Sequence, residues 1–207
     1  MKKKLTPFPS QGLEKEELLN RLRTFKKEDA RWKSGRTFSH IYNPGSDITD
    51  MVREAYNLFF SENALNPYTF PSLRKLENEV VSMAAHLLGG NEDTSGCITN
   101  GGTESIFLAL HSAREWAKNH HPIIGKPEVI LPQSAHPAFH KACHYLQLQP
   151  VVVPLGADYK VNPAEAWKAI TNNTIAIVGS APAYPHGVID HIGKLSELAI
   201  ENNLWLH

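Results

Sequence analysis

The chain has 207 residues, is 42% hydrophobic and carries 21 Lys+Arg against 21 Asp+Glu, so its formal net charge is zero. That length supports one sizeable core, and the lack of a long basic or acidic block argues against nucleic acid or a membrane surface as main partner. The basic start Met1-Lys-Lys-Lys leads into Leu5-Thr-Pro-Phe-Pro rather than an apolar stretch, which is not a signal-peptide pattern. The longest weakly polar run, Thr174 to Tyr184, is too short and proline-rich to span a bilayer.

In chain order, residues Leu13 to Trp32 predict a charged helix with Leu18, Leu19, Leu22 and Phe25 on one side. Gly35, Pro44 and Gly45 make 34–45 a loop. A second helical pattern runs from Asp47 to about Phe60, and a turn-rich bridge follows with Asn63 and Asn66, both suited to bonding their own backbone. From Ser72 to Leu88 apolar residues fall three or four apart (Leu73, Leu76, Val80, Met83, Ala84, Leu87), which predicts a helix with one buried face, ended by Gly89-Gly90.

Next comes Ile98-Thr-Asn-Gly-Gly-Thr-Glu-Ser-Ile106, which predicts a strand-to-helix turn with Thr103 as cap. Free N–H groups and the helix dipole make such a turn an anion seat, and glycine lets the anion come close to the backbone. It is neither a Walker loop nor a dinucleotide fingerprint, since the Gly-Lys-Ser/Thr and the third glycine are missing. Ile106, Ala109, Leu110, Ala113 and Trp116 continue it as a helix.

The remainder alternates. Strands are predicted at 128–131, 151–153, 174–178 and 204–206, with helices at 138–146, 163–170 and 192–202. The strands are continuously apolar, as expected when helices cover both faces, so the fold class is α/β with a mostly parallel sheet. Ligands in such sheets bind beyond the carboxyl ends of strands. Four predicted strand ends carry suggestive residues: the Asn100–Thr103 turn, the loop with His136, the loop with Tyr184 and His186, and the Leu204–His207 end. An anion turn beside His and Tyr side chains suits a phosphorylated, planar ligand. Two cysteines far apart, Cys97 and Cys143, fit a reduced cytoplasmic setting, and no spacing suggests a metal.

Four stretches together resemble the sphingosine-1-phosphate lyase family, within the pyridoxal-phosphate (PLP) group II decarboxylases. They are Gly96-Cys-Ile-Thr-Asn-Gly-Gly-Thr-Glu-Ser-Ile106, Pro132-Gln-Ser-Ala-His-Pro-Ala-Phe139, Ala183-Tyr-Pro-His-Gly-Val-Ile-Asp190 and Phe70-Pro-Ser-Leu-Arg-Lys-Leu-Glu77. The resemblance runs from about Arg31 to His207 and implies the large domain of the aspartate-aminotransferase-type fold, incomplete here. It implies an amino-terminal helical segment and dimerisation arm over 1–70 and the first part of the PLP domain over 71–207. Gly102 and Thr103 would hold the PLP phosphate. His136 would stack on the pyridine ring and, with Tyr184, make up the candidate catalytic residues. Tyr42, Asn63, Asn66 and His186 would meet the substrate.

The implied reaction uses PLP as electron sink to cleave a phosphorylated long-chain base into a fatty aldehyde and ethanolamine phosphate. Two positions depart from the pattern. Asn66 stands where these lyases usually have histidine, and Ala181 replaces a hydroxyl residue. The alternatives are a glutamate or aromatic amino-acid decarboxylase of the same group, or a non-catalytic remnant.

The resemblance also implies a homodimer with shared sites, in which Tyr42, Asn63 and Asn66 serve the neighbour. The family's pyridine-pairing aspartate and its cofactor-bonding lysine do not occur within 1–207. The chain therefore reads as the amino-terminal half of a PLP lyase, expected to be inactive alone and without a membrane segment.

Overall fold

The computed structural model describes residues 5–37, 41–66 and 68–207. Three parts of the sequence expectations lie outside them: the basic start, residues 38–40 of the first loop, and Pro67 in the bridge. The chain divides into two units, Met1–Arg74 and Lys75–His207.

The first unit contains α1 (Lys15–Phe25) and α2 (Ser46–Leu58). The helix expected up to Trp32 stops at Phe25, and the chain tightens into 3-10 turns at Lys26–Glu28 and Trp32–Ser34. The extended Asp29 between those turns breaks the helical path. Neither α1 nor α2 has a buried residue.

The unit boundary falls inside α3 (Pro71–Leu87). As expected, the helix ends at the glycines: Gly89 takes φ +74°, open to glycine at no cost, and the Gly90 N–H closes on the Ala85 carbonyl at 2.8 Å. Its apolar face is not buried, however. Leu76, Val80, Met83 and Leu87 are 46–83% exposed. A neighbouring line faces the chain instead: the Glu77 carboxylate accepts from the Ile98 N–H at 3.0 Å, and Val81 lies against Gly96. The chain entering the Asn100 turn, expected to come from a strand, is irregular over 95–99, and the Ile98 N–H is taken by that side chain rather than by a neighbouring strand.

The second unit continues with α4 (Gly102–His120), β1 (Glu128–Pro132), α5 (Pro137–Leu146), β2 (Gln149–Val153) and α6 (Pro163–Lys168). It closes with β3 (Thr174–Ile177), α7 (Ile192–Glu201) and β4 (Trp205–Leu206). The sheet order is β2-β1-β3-β4, and each pairing is parallel. Local chemistry fixes several starts. Pro137 and Pro163 occupy first helical positions, where the missing N–H costs nothing, and the Asn162 carboxamide accepts from the Ala164 N–H at 3.0 Å.

Helices cover both faces of the sheet. On one side Val129 and Leu131 pack with Leu110, Ala113 and Ala117 of α4 and with Phe139, Ala142 and Cys143 of α5. On the other, Ile130 and Ile177 pack with Ala166 of α6 and with Leu195 and Ala199 of α7. Side chains of adjacent β1 residues thus go to opposite layers and both are buried, which explains the unbroken apolar run.

Candidate functional site

Where α4 begins, the backbone of Gly101 is extended and serves as helix cap with no side-chain hydrogen bond, so the expected cap at Thr103 is corrected. The Glu104 carboxylate reaches back past the cap to the Asn100 N–H at 2.8 Å, while Thr99 and Ser105 share a 2.7 Å hydroxyl bond across the turn. These bonds fix the turn but leave the amides of Gly102 and Thr103, and the Thr103 hydroxyl, without acceptor or donor partners among the described residues. A Cβ added to Gly101 or Gly102 would meet no protein atom within 4 Å, and neither residue needs a left-handed backbone. Neither internal packing nor conformation demands glycine there. The side-chain-free surface opens on a cleft of about 720 Å³ lined by Phe107, Ala138, Lys141 and Tyr145 as well as the turn.

That arrangement suits a phosphate monoester: two N–H groups and a hydroxyl lie without protein partners at the positive end of a 19-residue helix. Lys141 is absent from the sequence-predicted site residues because its spacing puts it on the polar side of α5. Phe107 and Tyr145, ring centroids 6.4 Å apart, read as ordinary helix residues. Only the pairing of α4 with α5 reveals these three as one wall.

His136 caps α5. Its Nδ1 accepts from the Ala138 N–H at 3.1 Å, so in the neutral ring the proton sits on Nε2. The imidazole is exposed but oriented by this bond, ready to lie against a planar ring. Beyond β4, the His207 ring contacts Phe139 edge-on at 5.2 Å, and burial pushes its imidazole below the usual pKa of 6.5. Behind the site the Cys143 thiol is buried among apolar groups and raised to about 11, which makes it a packing residue rather than a nucleophile.

After β3 the chain turns through a cis Ala181–Pro182 bond into a loop carrying Tyr184 and His186, both exposed, and closed by an Ala183–Val188 bridge. Gly102, Thr103, His136, Tyr184 and His186 all belong to the second unit, and His136, Tyr184 and His186 stand in loops that follow the carboxyl ends of β1 and β3. Of the four strand ends expected to bear the site, three are strand ends and the Asn100 turn is entered from irregular chain.

Tyr42, Asn63 and Asn66 belong to the first unit. Tyr42 is 87% exposed. The Asn63 and Asn66 carboxamide oxygens accept from the N–H groups of Leu65 at 3.1 Å and Tyr68 at 2.9 Å. Each asparagine thus closes its own turn, leaving its amide NH₂ as the outward donor. No group of His, Cys, Asp and Glu that could hold a metal occurs among the described residues, and no helix among them is long and apolar enough to cross a membrane.

Residues 3–207 match the model of the pyridoxal-dependent decarboxylase conserved domain. The chain is 38% identical over 200 residues to mouse sphingosine-1-phosphate lyase 1, a match covering 97% of this chain and 35% of that protein. It is 37% identical to a probable L-aspartate decarboxylase of Thermococcus gammatolerans, over 97% of this chain and 50% of that one. The solved sphingosine-1-phosphate lyase of Burkholderia pseudomallei superposes with a TM-score of 0.90 at 38% identity, covering 99% of this chain and 48% of the solved one. The chain spans about a third to a half of the length of these relatives. An open anion seat on a helix start, an oriented histidine one strand away, and a family match over nearly every residue lead to one conclusion: the chain belongs to the pyridoxal-dependent decarboxylase family.

Proposed function

We propose that this chain supplies the cofactor-phosphate cradle and ring-stacking histidine of a PLP-dependent lyase. The proposed reaction splits a phosphorylated long-chain base into a fatty aldehyde and ethanolamine phosphate. The observation that carries the cofactor part is the bare Gly101-Gly102 surface with two unpartnered amides beside it. Identity of 38% with sphingosine-1-phosphate lyases over nearly the whole chain supports the lyase part. PLP, when bound, supplies the electron sink for the carbon–carbon bond that breaks.

The chain's own residues bind and orient. The amides of Gly102 and Thr103 and the Thr103 hydroxyl donate to the cofactor phosphate. His136, locked by its Nδ1 bond, presents its face to the ring. Tyr184 stands on the loop after β3 as a hydroxyl donor at the reacting end, and His186 meets the substrate phosphate from the same loop. Tyr42 and the outward amides of Asn63 and Asn66 serve the substrate's polar head in the neighbouring subunit of a homodimer. Asparagine at 66 donates to a phosphate without adding charge.

A second reading, an amino-acid decarboxylase, draws on the 37% identity with the probable L-aspartate decarboxylase. Product analysis separates the two. The protein produced from its own gene, loaded with PLP, is given a phosphorylated long-chain base in one reaction and free aspartate, glutamate or aromatic amino acids in another. Fatty aldehyde from the first is expected; carbon dioxide from the second with no aldehyde from the first would overturn the lyase reading.

A further inference from the structure

The loop that carries Tyr184 and His186 does not stand alone. It is fastened to a second irregular hairpin, residues 155–161, which leaves β2 and closes through a Leu155–Val161 bridge. The fastener at its root is Asp190. This carboxylate is 3% exposed, with one oxygen accepting from the Val161 N–H and the other from the Ser180 N–H, each at 2.8 Å. Nearby, His191 Nε2 lies 3.6 Å from the Asp158 carboxylate. The two hairpins are therefore held in fixed relation by a buried acid at the base.

At the tip the two segments meet in a ring pair. The Tyr159 phenol and the His186 imidazole are stacked, with centroids 4.8 Å apart and planes 21° from parallel. Tyr159 holds this place at φ +61°, in the left-handed region that a residue with a Cβ rarely adopts. Glycine or asparagine would fill the turn without that strain. The turn is stapled around it by the Gly156 N–H to the Lys160 carbonyl at 2.8 Å and the Tyr159 N–H to the Gly156 carbonyl at 3.0 Å. Among the described residues, neither ring nitrogen of His186 has a hydrogen-bond partner. The stack sets the imidazole plane, and the residue is exposed.

We propose that Tyr159 is a positioning residue: its strained turn holds the ring against His186, so that the imidazole presents one orientation to a phosphate-bearing amine. The inference rests on the reading of His186 as a residue that meets the substrate phosphate. A stacked pair of this kind corresponds to a loss of about two- to tenfold in affinity when the stacking ring is removed.

The test uses the protein produced from its own gene, loaded with PLP and labelled at histidine, with the His186 signals assigned by their loss in His186→Gln. In Tyr159→Ala the imidazole signals of His186 are expected to move downfield as the ring current is lost, and in Tyr159→Phe to stay. Ethanolamine phosphate is expected to bind Tyr159→Ala about two- to tenfold more weakly, with Tyr159→Phe restoring the parent affinity and no further loss when Tyr159→Ala is added to His186→Gln. Tyr159→Gly, which suits the left-handed backbone, replaces the alanine variant if that one fails to fold. Unmoved His186 signals in the ringless variant would overturn the stack, and unchanged affinity would overturn its role in positioning. A parent protein that binds no ethanolamine phosphate, while its His186 signals still respond to Tyr159→Ala, would remove the phosphate reading and with it the positioning role, leaving only the ring pair.

Discussion

At the scale of single residues, the cradle separates what the fold needs from what a ligand needs. Gly102 has a helical backbone and empty space where a Cβ would stand. Gly102→Ala is therefore expected to leave stability unchanged or raise it by about 0.4–1 kcal/mol, through the narrower unfolded ensemble. In the proposed cradle the same methyl group would stand where a phosphate oxygen approaches the amides. Loss of one hydrogen bond to a charged group costs about 1.5–3 kcal/mol, so PLP affinity should fall about tenfold or more. Thermal melts with and without PLP, together with a PLP titration, check both halves. A variant that loses stability in the absence of PLP, or keeps full affinity, would show that the open space belongs to the fold alone. The glycines were legible as an anion seat because helix starts have unsatisfied amides. The cap was not, because Thr103 has a hydroxyl suited to capping, and only the backbone path shows that Gly101 holds the cap position with no side-chain bond.

At the scale of elements, the α/β alternation of the second unit was legible because each buried strand is an unbroken apolar run bounded by turn residues. Strand and helix positions from 128 onward agree with the structure to within a few residues. Misreadings arise where a side chain replaced an expected partner. Ile98 sits in a short apolar stretch, yet its N–H goes to Glu77, and no strand forms. The polar side of α5 expected for Lys141 is exposed as read, and it also borders the cleft. The join between β3 and α7 gives a further test at this scale. A Cβ on Gly179 would stand 2.8 Å from the ends of both Ile192 and Leu195, so both side chains must shift to admit it, and Leu195 is fully buried. Gly179→Ala is expected to cost about 1–3 kcal/mol by overpacking. At about 2–4 °C per kcal/mol for a domain of this size, calorimetry should show a clear drop in Tm. No change would mean that α7 shifts freely, and the packing on this face of the sheet would need another account.

At the scale of the whole molecule, the most informative surface is the one that periodicity assigned to the core. The spacing of Leu76, Val80, Met83 and Leu87 shows only that this side of α3 gains from cover. It does not say that the same chain provides the cover, and in the structure these residues are 46–83% exposed. Burying a side chain of this size contributes about 1.5–3 kcal/mol, and exposed apolar patches of this kind mark interaction surfaces. The proposed homodimer is expected to use that face. Sedimentation of the protein produced from its own gene is expected to give a dimer, and Leu76→Glu combined with Met83→Glu to shift it towards monomer. Because these positions are already exposed, the far-UV circular dichroism of the monomer should remain that of the parent. A parent protein that sediments as a monomer would refute the dimer. A double variant that stays dimeric would move the interface off α3, since two buried unpaired carboxylates on one helix face would oppose association by several times the thermal energy.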